Sequence, residues 1–177
     1  MSSFILLYPV HTPFMRKYQL LIAGLVVSLD ALTKWLVRSR IPFEGDVEVI
    51  PGFFRLTNLK NTGAAFSMFA DAGPGAVAML VLFSCVAVAV ISWFLWKSGD
   101  ALSFSTVAFT LIGGGAVGNL WERALRGGVT DFLDFHLGAQ HWPPFNVADS
   151  AICVGAAMLL ATIVFGRHPQ ESGKSNA

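Results

Sequence analysis

From Gly75 to Trp96 the chain runs for 22 positions without one charged residue. About 20 apolar residues in a helix cover the hydrocarbon core of a bilayer. A segment this long and this apolar commits the chain to a membrane, where a spanning backbone must satisfy its own hydrogen bonds as a helix or a closed barrel. Composition agrees: 54% of the residues are hydrophobic and 13% charged, against about a quarter charged in soluble domains. Three further apolar segments approach spanning length. The expected fold is therefore an all-α membrane protein of one domain, with four transmembrane helices at about 18–37, 75–96, 102–121 and 148–166. Trp35, Trp93, Trp96, Trp121 and Trp142 fall near span ends or in a loop, as an interfacial aromatic belt does.

The start of the chain fits no span. Phe4 to Val10 is apolar but short, and Pro9 and Pro13 interrupt it. No small-residue cleavage site follows in the usual arrangement, so it does not read as a removable signal peptide. Met15-Arg16-Lys17 ahead of an apolar run resembles a natural membrane-protein start, and residues 1–14 are expected to be a dispensable extension. Cys85 and Cys153 both sit in apolar runs and are expected to be small core residues rather than a disulfide. A net charge of +1 gives no footprint for nucleic acid, and the four histidines lack metal-ligand spacing.

Four spans place both termini on one side. Arg16, Lys17, Lys97, Arg167 and Lys174 would lie there, against Arg38, Arg40, Arg55, Lys60, Arg123 and Arg126 on the other side. The positive-inside rule does not choose between the two orientations. Parity does make one firm statement: loops 39–73 and 122–147 share a face. The first loop is too long and apolar for a bare linker, and Phe53 to Phe69 reads as a small strand-rich element lying against the membrane. Its Phe53, Phe54, Phe66, Met68 and Phe69 could rest on lipid while it covers a site.

Within that shared face lie the acids that carry chemistry. Asp131 stands in VTDFLDF and Asp149 in FNVADSAICVG, at the start of the last span. Carboxylates at membrane boundaries are costly and mark functional sites by default. Two of them brought together can share one proton and activate water. Each also has an ordinary explanation, Asp149 as a helix N-terminal acid and Asp131 as a solvated loop acid. Strand alternation would turn Asp131 and Asp134 to opposite faces. Asp30 and Lys34 lie four apart on the first span, where an intrahelical ion pair lowers the cost of insertion. Gly113 to Gly115 with Gly118 suit close helix packing, and Glu122 and Arg123 could be interface anchors. A proton or cation pathway would need acids at mid-membrane and an inverted repeat; no repeat is visible. A scaffold would leave the clustered asparagines and aspartates without a purpose.

Four blocks carry a resemblance: SLDALTKWLV (28–37), NTGAAFSMF (61–69), GGGAVGNLWERALRGGVTDF (113–132) and FNVADSAICVG (145–155). In this order and spacing they resemble the lipoprotein signal peptidases, also called signal peptidase II. The resemblance covers roughly Tyr18 to Gly166. It implies Asp131 and Asp149 as the catalytic dyad of an aspartic endopeptidase. It places Asn61, Gly63, Asn119, Arg123 and Asn146 around the substrate, and leaves Asp30, Lys34 and Glu122 to structural roles. It implies no metal or other cofactor. The substrates would be diacylglyceryl-modified prolipoproteins, cut before the lipidated cysteine at the outer face of the bacterial cytoplasmic membrane. Membrane lipid and peptide inhibitors of the globomycin type would be further partners. That orientation puts the termini in the cytoplasm and both loops outside. Two positions depart from the family pattern: Glu122 stands where aspartate is usual, and Thr130 where valine or a similar residue is common.

Overall fold

The computed structural model describes residues 13–63, 74–98, 103–138 and 140–165. Among the described residues four helices and four strands follow in the order α1 (Pro13–Arg40), β1 (Asp46–Ile50), β2 (Phe54–Asn61), α2 (Pro74–Lys97), α3 (Phe104–Arg126), β3 (Val129–Leu137), β4 (Gln140–His141) and α4 (Val147–Phe165). Among the described residues three helices, α1, α2 and α4, are long and apolar enough to cross a membrane. Their large side chains point outward: Leu20, Leu25, Leu82, Phe83, Leu160 and Ile163 are all exposed on the protein surface. That arrangement suits a lipid solvent, into which apolar groups lose nothing by facing.

The third helix is built differently. α3 packs against α1, α2 and α4, and its buried face is Thr106, Ala108, Thr110, Gly114, Gly115, Gly118, Asn119 and Glu122. Small and polar residues suit a helix whose neighbours, rather than lipid, surround it. Two glycines let α4 come close. A Cβ on Gly115 would stand 2.4 Å from the Ala148 carbonyl oxygen and one on Gly155 would stand 2.6 Å from that of Ala108. Gly115→Ala must therefore push α3 from α4, at about 1–3 kcal/mol by analogy with overpacked cores. A lower melting temperature in detergent for Gly115→Ala is expected, beside no loss for Gly24→Ala, whose added methyl would meet nothing within 4 Å.

Both loops contribute to one antiparallel sheet, in the order β1-β2-β3-β4. The first loop is expected to be strand-rich, and the second shows strand alternation around Asp131. The structure adds β3 from the second loop, with Leu59 opposite Asp131 and Asn61 opposite Val129. α3 also runs past its expected end at residue 121 to Arg126, where Gly127 takes the left-handed conformation (φ 66°) and donates its N–H to the Arg123 carbonyl. The sheet is seated on the membrane helices by Val37, Ile41 and Phe132, with Leu56, Leu133 and Val147 packed around them. Asn58 adds a hydrogen bond to the Ile41 carbonyl at 2.8 Å. Phe54 stacks on Phe135 at 4.7 Å, so its ring joins an aromatic cluster of the sheet, while Phe53 stays 44% exposed. Phe66, Met68 and Phe69 lie outside the described residues, as do residues 1–12 of the expected extension. Cys85 and Cys153 are free, and both are exposed rather than in the core. Cys85 sits on the outer face of α2, and Cys153 on α4 lines the cavity described below.

Candidate active site

The end of β2, the start of β3, the segment 142–145 between β4 and α4, the C-terminal part of α3 and the N-terminal part of α4 converge on a cavity of roughly 530 Å³. Asp131 enters it from β3, Asp149 from the first turn of α4, Asn119 and Arg123 from α3, and Asn61 from the end of β2. Trp142, Phe145 and Ile152 supply apolar walls. Apolar walls around a few polar groups are the usual form of a ligand site.

Each carboxylate is held by two donors. Asp131 Oδ1 accepts from Asn146 Nδ2 at 2.8 Å, and its Oδ2 accepts from Asn61 Nδ2 at 2.9 Å. Asp149 Oδ1 accepts from Asn119 Nδ2 at 2.8 Å, and its Oδ2 accepts from the Asn146 backbone N–H at 3.3 Å. Asn146 is fully buried and touches both acids. Its side-chain oxygen accepts the Asp149 N–H at 2.9 Å, closing a reciprocal cap on the first turn of α4. The ordinary and the functional explanations of Asp149 thus hold together: the residue that caps the helix also presents a carboxylate to the cavity.

Burial pushes the Asp131 carboxyl up to about 6, helped by the nearby Asp149 charge and opposed by the amides of Asn61 and Asn146 and by the Lys34 charge. A carboxyl in that range can hold or release a proton near neutral pH. Asp134, three residues on, meets different partners: Arg55 and His141 both bond it. Those contacts hold it below the usual carboxylate range against the opposing effect of burial, the largest single influence.

Behind the cavity is a second polar layer. Asp30 and Lys34 form the ion pair that their spacing implies, at 2.8 Å. They reach well beyond α1. Lys34 Nζ donates to Asn119 Oδ1 at 2.9 Å and lies 3.4 Å from Glu122. Asp30 accepts the Ala148 N–H at the start of α4 at 2.9 Å. Glu122 is buried and not an interface anchor. It accepts from the Thr130 N–H at 3.0 Å and from the Thr130 hydroxyl at 2.7 Å, and it pairs with Arg38. Sequence reasoning takes Arg38 only as a loop charge and Thr130 only as a departure from the family pattern, although Arg38 extends the four-residue spacing of Asp30 and Lys34. Arg123 donates to the Gly63 carbonyl at 3.1 Å, and its buried Nε has no partner among the described residues. Gly63 in turn donates its N–H to Asn61 Oδ1 at 2.9 Å. Among the described residues no group of three or more His, Cys, Asp or Glu side chains is placed to hold a metal ion.

A family model described as Signal peptidase (SPase) II matches residues 22–165. The chain belongs to the signal peptidase II family. It is similar to the lipoprotein signal peptidase of Desulforapulum autotrophicum, 39% identical over 150 residues that cover 84% of this chain and 93% of that protein. It is also similar to the lipoprotein signal peptidase of Syntrophotalea carbinolica, 44% identical over 141 residues, 80% of this chain and 87% of that one. A solved structure described as a bacterial membrane enzyme aligns with a TM-score of 0.78 at 28% identity, covering 90% of this chain and 95% of its own. A second of the same description aligns at 0.74 and 29% identity, covering 85% and 95%. As a signal peptidase II, the chain is an aspartic peptidase and a multi-pass protein of a bacterial membrane.

Proposed function

We propose that this signal peptidase II removes the signal peptide from prolipoproteins that already carry diacylglycerol, cutting before the lipidated cysteine with Asp131 and Asp149 as the catalytic pair. The observation that carries the reading is the shared cavity: two carboxylates, Asp131 buried and Asp149 half-buried, each held by two N–H donors, face the same space. One carboxylate takes a proton from water as its oxygen attacks the scissile carbonyl carbon. The other, protonated, donates to the carbonyl oxygen. Collapse of the tetrahedral intermediate breaks the C–N bond and returns a proton to the departing amine of the cysteine. No metal or organic cofactor enters the scheme.

Asn61, Gly63, Asn119, Arg123 and Asn146 surround the substrate in this reading. The Nε of Arg123, without a partner among the described residues, is a donor for a peptide carbonyl. Peptides of the globomycin type would compete for the same space. α3 also crosses the bilayer, giving four spans in the cytoplasmic (inner) membrane, with the termini in the cytoplasm and the dyad at the extracytoplasmic face. A substrate anchored by its lipid then reaches the cavity from the plane of the membrane.

The test is cleavage by purified protein of one prolipoprotein with and without its diacylglyceryl group. Only the lipidated form is expected to be cut. The pH profile adds a signed prediction. Burial, helped by the Asp149 charge, lifts the Asp131 carboxyl to about 6, so the one-proton state of the pair is expected to disappear as pH rises past a limb near 6. Asn61 bonds the charged form and so holds that limb down. Asn61→Leu, close in size, is expected to move the limb to higher pH. A limb that stays, or moves down, would remove Asn61 from the dyad's surroundings.

A further inference from the structure

A second large cavity lies between α1, α2 and α3, away from the dyad, with a volume of roughly 640 Å³. α1 and α2 each pack on α3 and hardly on each other, which leaves a groove along their seam. α3 closes its floor through close approaches. A Cβ on Gly114 would stand 3.1 Å from Val26 Cβ, and one on Gly113 would stand 3.1 Å from Ile91 Cγ2. Most of the lining is apolar, Leu20, Val27, Val88 and Leu95 among it. Two residues at one end are not. Arg16 sits over the Trp96 ring at 5.0 Å. Gln19 is only 5% exposed, and its amide Nε2 has no hydrogen-bond partner among the described residues. A buried amide nitrogen without an acceptor is destabilising, so an acceptor from a ligand would offset a real penalty.

We propose that this groove binds one anionic phospholipid. An acyl chain lies along α1 and α2, the phosphate meets Arg16, and an ester carbonyl accepts from Gln19 Nε2. Arg16 precedes Asp30 by 14 residues, or about 21 Å of helix, so the headgroup end is remote from the dyad and falls in the opposite leaflet. Basic pockets between transmembrane helices suit anionic headgroups. The charge of Arg16, with Lys17 beside it, argues against the other long apolar occupant such a protein meets. A signal peptide begins with basic residues and would place like charges together. The groove is separate from the catalytic cavity, and its ligand does not depend on the assignment of the dyad.

Trp96 reports occupancy. In mixed-lipid nanodiscs its emission, taken as the difference between wild type and Trp96→Phe, is expected to be quenched by dibrominated phosphatidylglycerol in preference to dibrominated phosphatidylcholine, with a relative affinity of about fivefold. Unlabelled phosphatidylglycerol should displace the quencher from wild type with the same preference, a measurement that needs no variant at the site. Arg16→Gln should remove the preference, Arg16→Lys should keep it, and Gln19→Leu should weaken quenching. Peptidase activity of each variant checks that it is folded. Equal quenching by the two lipids, a preference that survives Arg16→Gln, displacement by a synthetic signal peptide, or occupancy only on self-association would each overturn the proposal.

Discussion

Asp131→Asn and Asp149→Asn are each expected to abolish cleavage of a lipidated prolipoprotein while the protein stays inserted and folded. Asparagine nearly matches aspartate in shape but can neither take the proton from water nor give one to the carbonyl. With both roles falling on one pair, loss of either member should lower the single-turnover rate by about 10⁴-fold or more. Stability should respond in a way that separates chemistry from collapse. Burial of the Asp131 charge is the largest influence on that carboxyl, and a neutral side chain removes that cost. Against it, Asn61 and Asn146 both present N–H groups to this carboxylate, and the new amide can accept from one of them only. The two effects oppose, so the melting temperature of Asp131→Asn should stay near that of wild type. A variant retaining most of its single-turnover rate would sink the dyad, and a variant that lost its fold would leave the rate loss without chemical meaning. Measuring both on one preparation distinguishes these cases.

What the sequence revealed, and what it hid, follows from the range of the interactions. The spans were legible because lipid reads hydrophobicity residue by residue: α2 comes out at Pro74–Lys97 from an expected 75–96. The ion pair of Asp30 and Lys34 was legible because four residues make one turn of a helix. β3 was only half legible. Its alternation could be seen, but its pairing with β2 joins residues some 70 apart, Asn61 to Val129 among them, and no local pattern specifies that. The same holds for the second polar layer. Glu122 and Thr130 read as two unrelated departures from the family pattern, one a longer acid, the other a polar residue in place of an apolar one. In the fold the Thr130 hydroxyl and N–H both bond the Glu122 carboxylate. The departures meet, and an acid extended by one methylene finds two donors waiting. α3 hid for the opposite reason. A helix surrounded by other helices need not be as apolar as those facing lipid, so its end at Arg126 lay beyond what hydropathy could mark.

Lys34 is where that second layer should prove most costly to disturb. Its side chain is 2% exposed, and its ammonium meets Asp30 at 2.8 Å, Glu122 at 3.4 Å and Asn119 Oδ1 at 2.9 Å. Lys34→Met keeps the length and removes the charge, leaving Asp30 and Glu122 buried with less compensation. Breaking a buried pair on one side costs about 3–5 kcal/mol, so a large fall in melting temperature is expected. The double variant Asp30→Asn with Lys34→Met should recover part of it, because it removes one stranded charge while an Asn oxygen can still accept the Ala148 N–H that Asp30 now accepts. Activity should fall further than stability alone explains. An ammonium can only donate, so Lys34 forces the Asn119 oxygen toward itself and the Asn119 NH₂ toward Asp149. With methionine there, the amide is free to turn its oxygen to the carboxylate and the donor is lost. The Lys34 charge also holds the Asp131 carboxyl down, and its removal should move the limb near 6 to higher pH. Lys34 is in this sense a positioning residue, acting on the dyad through Asn119 and through charge. A Lys34→Met protein with an unchanged melting temperature, rate and pH limb would show that the ammonium merely fills space.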